Sequence, residues 1–178
     1  DMGPFVRMDW LEDLNMEVPT TYDELTKVLE AFKSEKNCAE PMSLYNTVSM
    51  NDGLLMGGFG SMAELSLNGY YQEDGHVIYG ATADGTRKFL SWLHMLYEKG
   101  LIDFENMQNR MINPFGELTA VACAQGDTGY MFSNQPFGGN YSVMAASDYG
   151  DPGCNWWPVQ DVGETPGQEI PFFEEVTL

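Results

Sequence analysis

Basic residues are scarce in this chain: 8 Lys and Arg stand against 27 Asp and Glu in 178 residues, a formal net charge of −19. A surface this acidic repels phosphate backbones and anionic headgroups, which excludes nucleic acid and membrane surfaces as partners. Histidine is scarcer still. His76 falls in a turn and His94 in a helical pattern, neither has a partner at metal-ligand spacing, and both read as structural. The three cysteines, Cys38, Cys123 and Cys154, are too few and too far apart for a disulfide framework and form no CxxC pair, leaving room for one bridge at most. No apolar run is long enough to span a bilayer, so this segment is not expected to insert into a membrane. There is no nucleophile elbow, phosphate-binding glycine loop or metal cluster. Paired acids such as Glu174 and Glu175 face opposite ways along a strand, whereas glycoside hydrolysis needs two carboxyls roughly 5–10 Å apart across a cleft. The expectation is a protein without catalysis, cofactor or metal.

At 43% hydrophobic residues the chain has the material for a core, and 178 residues suit a single domain. Trp10, Leu11 and Leu14 recur at helical spacing with Glu12 and Asp13 opposite, which predicts a short helix ending near Asn15. Pro19 biases Val18 toward extended geometry, and Thr21 with Glu24 three positions on forms a capping box. A second helix therefore starts at Thr21, with Leu25, Val28, Leu29 and Phe32 as its buried stripe. Pro41 to Leu44 reads as a short strand. Asp74-Gly75, between runs of aromatic and β-branched residues, predicts a β-hairpin over 70–79. The helix after it starts near Thr82 or Asp84, is lined by Phe89, Leu90, Leu93, Leu96 and Tyr97, and ends at Lys99-Gly100. Leu118 to Ala124 reads as a short helix closed by Gly126, and Thr128 to Ser133 as a buried strand. Beyond Pro152 the chain reads as irregular or short-stranded, with a last strand over Phe172 to Val176. Strands alternating with helices give an α/β layered domain.

Four stretches together resemble the extracellular solute-binding proteins of ABC transporters. They are Arg7-Met8-Asp9-Trp10-Leu11 leading through Val18-Pro19-Thr20-Thr21 to Asp23-Glu24-Leu25, the hairpin, Leu96-Tyr97-Glu98-Lys99-Gly100-Leu101-Ile102-Asp103, and Gln125-Gly126-Asp127-Thr128-Gly129-Tyr130-Met131. They cover most of the chain. Asn15 stands where that family usually has glycine, and Asp127 where lysine or glutamate is common. The resemblance implies one lobe of a type II periplasmic-binding-protein-like fold, a mixed sheet flanked by helices, with residues 1–178 a single lobe of a longer two-lobed protein. It also implies capture of a small polar solute, a sugar or oligosaccharide, by lobe closure. The solute then passes to a membrane permease, and the parent is extracellular or periplasmic and lipid-anchored. The alternatives are a non-catalytic carbohydrate-binding or structural surface module, a peptide-binding lobe and a small glycosidase.

In open α/β sheets ligands sit beyond the carboxyl ends of the strands, which directs attention to the loops after Met42 and Phe132. The candidates there are Tyr45, Asn46, Asn134, Gln135 and Phe137. By resemblance to oligosaccharide-binding members, the loop Ser133-Asn134-Gln135-Pro136-Phe137 presents its aromatic ring to a sugar. Aromatic rings stack on the apolar face of a pyranose, and amides offer both donor and acceptor to hydroxyls. The plain alternative is that Phe137 is a packing anchor and Asn134 a turn residue. Trp156 and Trp157 point to opposite faces if they lie in a strand, so one joins the core and the other, Trp157, is free to line a cleft. Trp10 belongs to the core and Asp9 to a helix end or hinge.

Overall fold

The computed structural model describes residues 2–43, 55–60, 69–102 and 117–169. At the centre of its main sheet lies a strand that sequence periodicity did not mark, β1 (Met2–Arg7). The others are β2 (Met42–Ser43), β5 (Tyr130–Asn134) and β6 (Trp156–Pro158), in the order β2-β5-β1-β6. β1 runs antiparallel to both β5 and β6, with Phe5 opposite Met131 and Val6 opposite Trp157, whereas β2 is parallel to β5. Hence β2, β5 and β6 all point the same way. The sheet is mixed, as the resemblance implied. β3 (Tyr70–Glu73) and β4 (His76–Tyr79) form the separate hairpin, with Asp74 and Gly75 both at positive φ as a tight primed turn requires.

Alternation along the strands sends side chains into two cores. On one face Val6, Met42 and Tyr130 pack with Leu25, Leu29 and Phe32 of α2 (Tyr22–Glu35) and Phe89, Leu93 and Leu96 of α3 (Asp84–Glu98). On the other, Phe5, Met131 and Trp156 pack with Cys123 and Ala124 of α4 (Glu117–Gln125) and Tyr141 and Ala145 of α5 (Gln135–Asp148). The result is helices on both faces of a sheet, an α/β layered arrangement.

The expected capping box is present: Glu24 N–H donates to Thr21 Oγ1 at 3.2 Å, and the Thr21 N–H donates to the Glu24 carboxylate at 3.1 Å. The two Thr20 donors, with the Thr21 N–H, hold the Glu24 carboxyl below its usual pKa. Thr21→Ala should therefore cost about 1 kcal/mol, read as a lower urea midpoint at unchanged m-value. α1 (Met8–Asp13) is followed by its C-cap Leu14 and then by Asn15, whose φ of 51° is the left-handed geometry that glycine commonly supplies after a helix. α3 begins at Asp84, and Gly100, at φ 64°, follows its C-cap Lys99.

Two expectations are corrected, and the question left open about a bridge is answered. Leu90 and Tyr97 do not join the buried stripe of α3: both are exposed, and Trp92 takes the inward place with its indole N–H donating to Thr26 Oγ1 at 3.1 Å. All three cysteines are free and buried, so no bridge forms; burial pushes the Cys38 thiol up to about 12 and the Cys154 thiol to about 11. The segment after Asn134 is a helix and not a loop. His94 is exposed on α3 with Nε2 3.4 Å from the Glu98 carboxylate. The strand expected over Phe172 to Val176 lies outside the described residues.

Arg7 ties the layers together although only 1% of it is exposed. Its Nε and Nη2 donate to the two Asp9 oxygens at 2.9 and 2.6 Å, Nη2 also donates to Asp151 at 2.8 Å, and the guanidinium lies 4.3 Å from the Trp10 ring centre. Burial works against the charge of Arg7, but the Asp9 hydrogen bonds and the neighbouring negative groups outweigh it and hold the pKa above its usual value. Asp9 Oδ1 in turn accepts the Asn155 N–H at 3.0 Å, fixing α1 to the segment that enters β6.

Candidate functional site

Because β2, β5 and β6 share a direction, their carboxyl ends point toward one end of the sheet: Ser43 and Pro158 stand level with Met131 and Phe5, and Asn134 lies three residues further on, opposite Met2. The amino terminus of α2 reaches the same edge through the segment that follows β6. The Tyr22 N–H donates to the Gly163 carbonyl at 3.0 Å, and the Gly163 N–H donates to Thr20 at 3.0 Å. This segment, residues 159–169, acts as a strap over the edge. The Val159 N–H donates to Pro4 at one end of it, and near the other the Gln168 side chain donates to the Gly58 carbonyl at 2.8 Å. Lys88 of α3 pairs with Glu164 at 2.9 Å from the side.

Gly58 is where the strap comes closest. A Cβ there would stand 2.3 Å from the Val162 carbonyl oxygen and 2.6 Å from the Tyr22 hydroxyl, so only glycine lets the two backbones approach. Next to it Phe59 stacks on Tyr22 with ring centres 3.8 Å apart, and Trp92 meets Tyr22 edge-on at 4.9 Å. The Tyr22 hydroxyl donates to the Leu55 carbonyl at 2.7 Å; burial, and then the charge of Asp161, push its pKa upward. Burial raises Tyr130 as well, again followed by Asp161.

The charge of Asp161 thus acts on both tyrosines. It is half-buried, its Oδ1 is shut off from solvent without a hydrogen-bond partner among the described residues, and burial pushes its carboxyl up to about 6. Nothing in the sequence sets this acid apart from the other 26; only the path of the strap brings it to the strand ends.

The residues expected from sequence fare differently. Asn134 is the last residue of β5 and Gln135 the first of α5, so both stand at the edge where strands end. Phe137 lies in the first turn of α5, which corrects the expected Pro-Phe-Gly-Gly loop: the helix continues through both glycines because Tyr141 and Ala145 anchor it in the core. Trp156 is buried and Trp157 is 58% exposed on the opposite face, one residue from the carboxyl end of β6. Tyr45 and Asn46 lie outside the described residues. Among the described residues no group of His, Cys, Asp and Glu is arranged to hold a metal.

No protein-family model matches this chain. Over 112 residues, 59% of its length, it is 31% identical to a fructooligosaccharide ABC transporter substrate-binding protein, FusA of Streptococcus pneumoniae serotype 4, of which those residues make up 21%. Among solved structures, the alginate-binding protein AlgQ2 without calcium ion superposes with a TM-score of 0.70 at 23% identity, covering 89% of this chain and 32% of that one. S. pneumoniae FusA in complex with kestose gives 0.61 at 23% over 91% and 31%, and a Bacillus licheniformis sugar transporter in complex with stachyose 0.62 at 14% over 97% and 42%. The chain thus spans about a fifth of the curated relative and between about a third and two-fifths of these solved chains. In sequence over those 112 residues and in backbone over nearly its whole length, it resembles the extracellular solute-binding proteins of ABC transporters, with their periplasmic-binding-protein-like α/β fold.

Proposed function

We propose that this chain is the solute-binding lobe of an extracellular receptor of an ABC importer, and that the receptor captures a sugar or oligosaccharide. The observation that carries the reading is that three strands point their carboxyl ends toward the same end of the sheet, near an exposed tryptophan, in a chain similar to a fructooligosaccharide-binding protein. The residues proposed to meet the solute are Asn134 and Gln135, at the end of β5 and the start of α5, Trp157 of β6, and Phe137, Tyr45 and Asn46 as expected from the sequence. Capture proceeds by closure of this lobe against a second one, and the closed form is what a permease receives. No bond is made or broken. A single lobe forgoes the partner lobe's contacts, and binding must offset lost rigid-body freedom, so affinity belongs to the two-lobed protein.

The test is thermal unfolding of the full-length protein with kestose, stachyose, monosaccharides, amino acids and short peptides. A ligand of the folded state raises the midpoint, by about 2.7 kcal/mol of stability at a hundred times its Kd. A shift with sugars alone supports the reading; a shift with peptides alone replaces it. In the full-length protein Trp157→Ala should weaken sugar binding roughly two- to tenfold, the worth of one aromatic stacking contact, while leaving the ligand-free midpoint nearly unchanged because the ring is mostly exposed. Titration calorimetry and thermal unfolding of the wild type and this variant check it.

A further inference from the structure

We infer that the outward face of α3 is a self-association surface, on which a second copy of this protein docks its own α3 antiparallel about a two-fold axis. The starting point is an apolar face that the core leaves unused. Sequence periodicity counts Leu90 and Tyr97 with the buried stripe of α3, but the fold leaves them 46% and 55% exposed. With Leu93 and His94 they line a hollow of about 400 Å³ on the surface of the helix, and of the four only Leu93 is buried. These residues stand at i, i+3, i+4 and i+7, the set that forms the hole into which a facing helix inserts a side chain. A helix is therefore the shape that fits.

Charge selects which helix. At a net charge of −19 two copies repel each other over most of their surface, yet Arg87, Lys88 and Lys99, three of the eight basic residues, lie on or beside α3 against Asp84 and Glu98 alone. Here a second copy is not turned away. At about 100° per residue, Arg87 and Glu98 fall on the same flank of the stripe that runs from Leu90 to Tyr97. A two-fold axis through the hollow makes the two helices antiparallel and keeps that flank on one side. Leu90 of each copy then lies against the partner's Tyr97, and Arg87 comes within about 3 Å, measured along the helix, of the partner's Glu98. Two such pairs close the interface. A parallel pairing would instead put Arg87 level with the partner's Arg87, so sign favours the antiparallel one. The bond that Arg87 now makes to Asp84 at 2.8 Å is exposed on both sides and holds it only weakly. Two 15-residue helices side by side bury less than a standard interface, so the dimer is micromolar or weaker. None of this depends on which solute the strand ends take.

The experiment is sedimentation equilibrium of the full-length protein from about 1 µM to 1 mM, the span that such an affinity requires. The wild type is compared with Leu90→Gln, Tyr97→Gln, Arg87→Glu, Glu98→Arg and the double charge reversal. The expected result is a wild-type monomer–dimer equilibrium whose Kd rises roughly tenfold or more in Leu90→Gln and in Tyr97→Gln. Their urea midpoints at the lowest concentration should stay near that of the wild type, because both side chains are exposed and glutamine suits a helix. Either single reversal should weaken the dimer by a similar factor, and the double reversal should restore it to within about threefold. A wild type that is monomeric over the whole range overturns the inference, and the face then belongs to another part of the chain or to a different protein. A dimer equally tight in both glutamine variants overturns it as well, since the contact then lies elsewhere. Single reversals that weaken the dimer without recovery in the double variant overturn the antiparallel register.

Discussion

Replacing Arg7 with methionine should lower the unfolding free energy by about 3–5 kcal/mol, the cost of breaking a buried ion pair from one side. Methionine fills much of the space but leaves Asp9, about a fifth exposed, without its two charge-assisted donors and strips Asp151 of its partner. Asp151 turns to water, being 43% exposed; Asp9 cannot fully do so. Arg7→Met with Asp9→Asn should therefore recover a substantial part of the loss, because an amide is cheaper to leave half-buried than a carboxylate. Equilibrium urea unfolding of the two variants decides. If the double variant is no more stable than the single one, Arg7 acts through its packing on Trp10 and not through its charge.

Gly58→Ala should be nearly as damaging, about 3 kcal/mol. The added methyl meets the Val162 carbonyl and the Gly163 Cα, and backbone cannot step aside as a flexible side chain would. The strap would have to lift from Tyr22, loosening the Gln168 bond to Gly58 and moving Asp161 from the edge. Stability and solute affinity of the full-length protein should fall together, in contrast to Trp157→Ala, which touches affinity alone. Gly60→Ala serves as the control: it has no neighbour within 4 Å and is penalised only for its φ of 68°, so it should cost about 1 kcal/mol.

These residues mark what could be read from the chain in advance. α2 was legible to its first residue, because a capping box and a four-residue apolar stripe are local signals that need no partner to be recognised. The hairpin was legible for the same reason, through Asp74-Gly75. β1 was not: Pro4 argues against a strand, and what makes Met2–Arg7 extended is pairing with β5 and β6, which lie more than a hundred residues away in sequence. α5 was misread as a loop because Phe137-Gly138-Gly139-Asn140 has poor intrinsic helix propensity, overridden by burial of Tyr141 and Ala145. The site divides likewise. The split between Trp156 and Trp157 follows from strand alternation, whereas Asp161 owes its position to tertiary path alone.

The central place of β1 also sets a clock. Phe5 pairs with Met131 and Arg7 with Trp156, so β1 finds its neighbours more than a hundred residues further along the chain. At about 5–20 residues per second of synthesis, it waits roughly 6–25 s before β5 even exists. During that interval α2 and the hairpin, built on near contacts, can form, but the layers cannot close on either face. Closing so long a loop carries an entropy cost that near contacts do not repay, so folding is slow for the size of the chain and comes late. Until then the backbone groups that β1 will give to β5 and β6 are open to wrong partners, and shielding them raises the share of chain that reaches the native state.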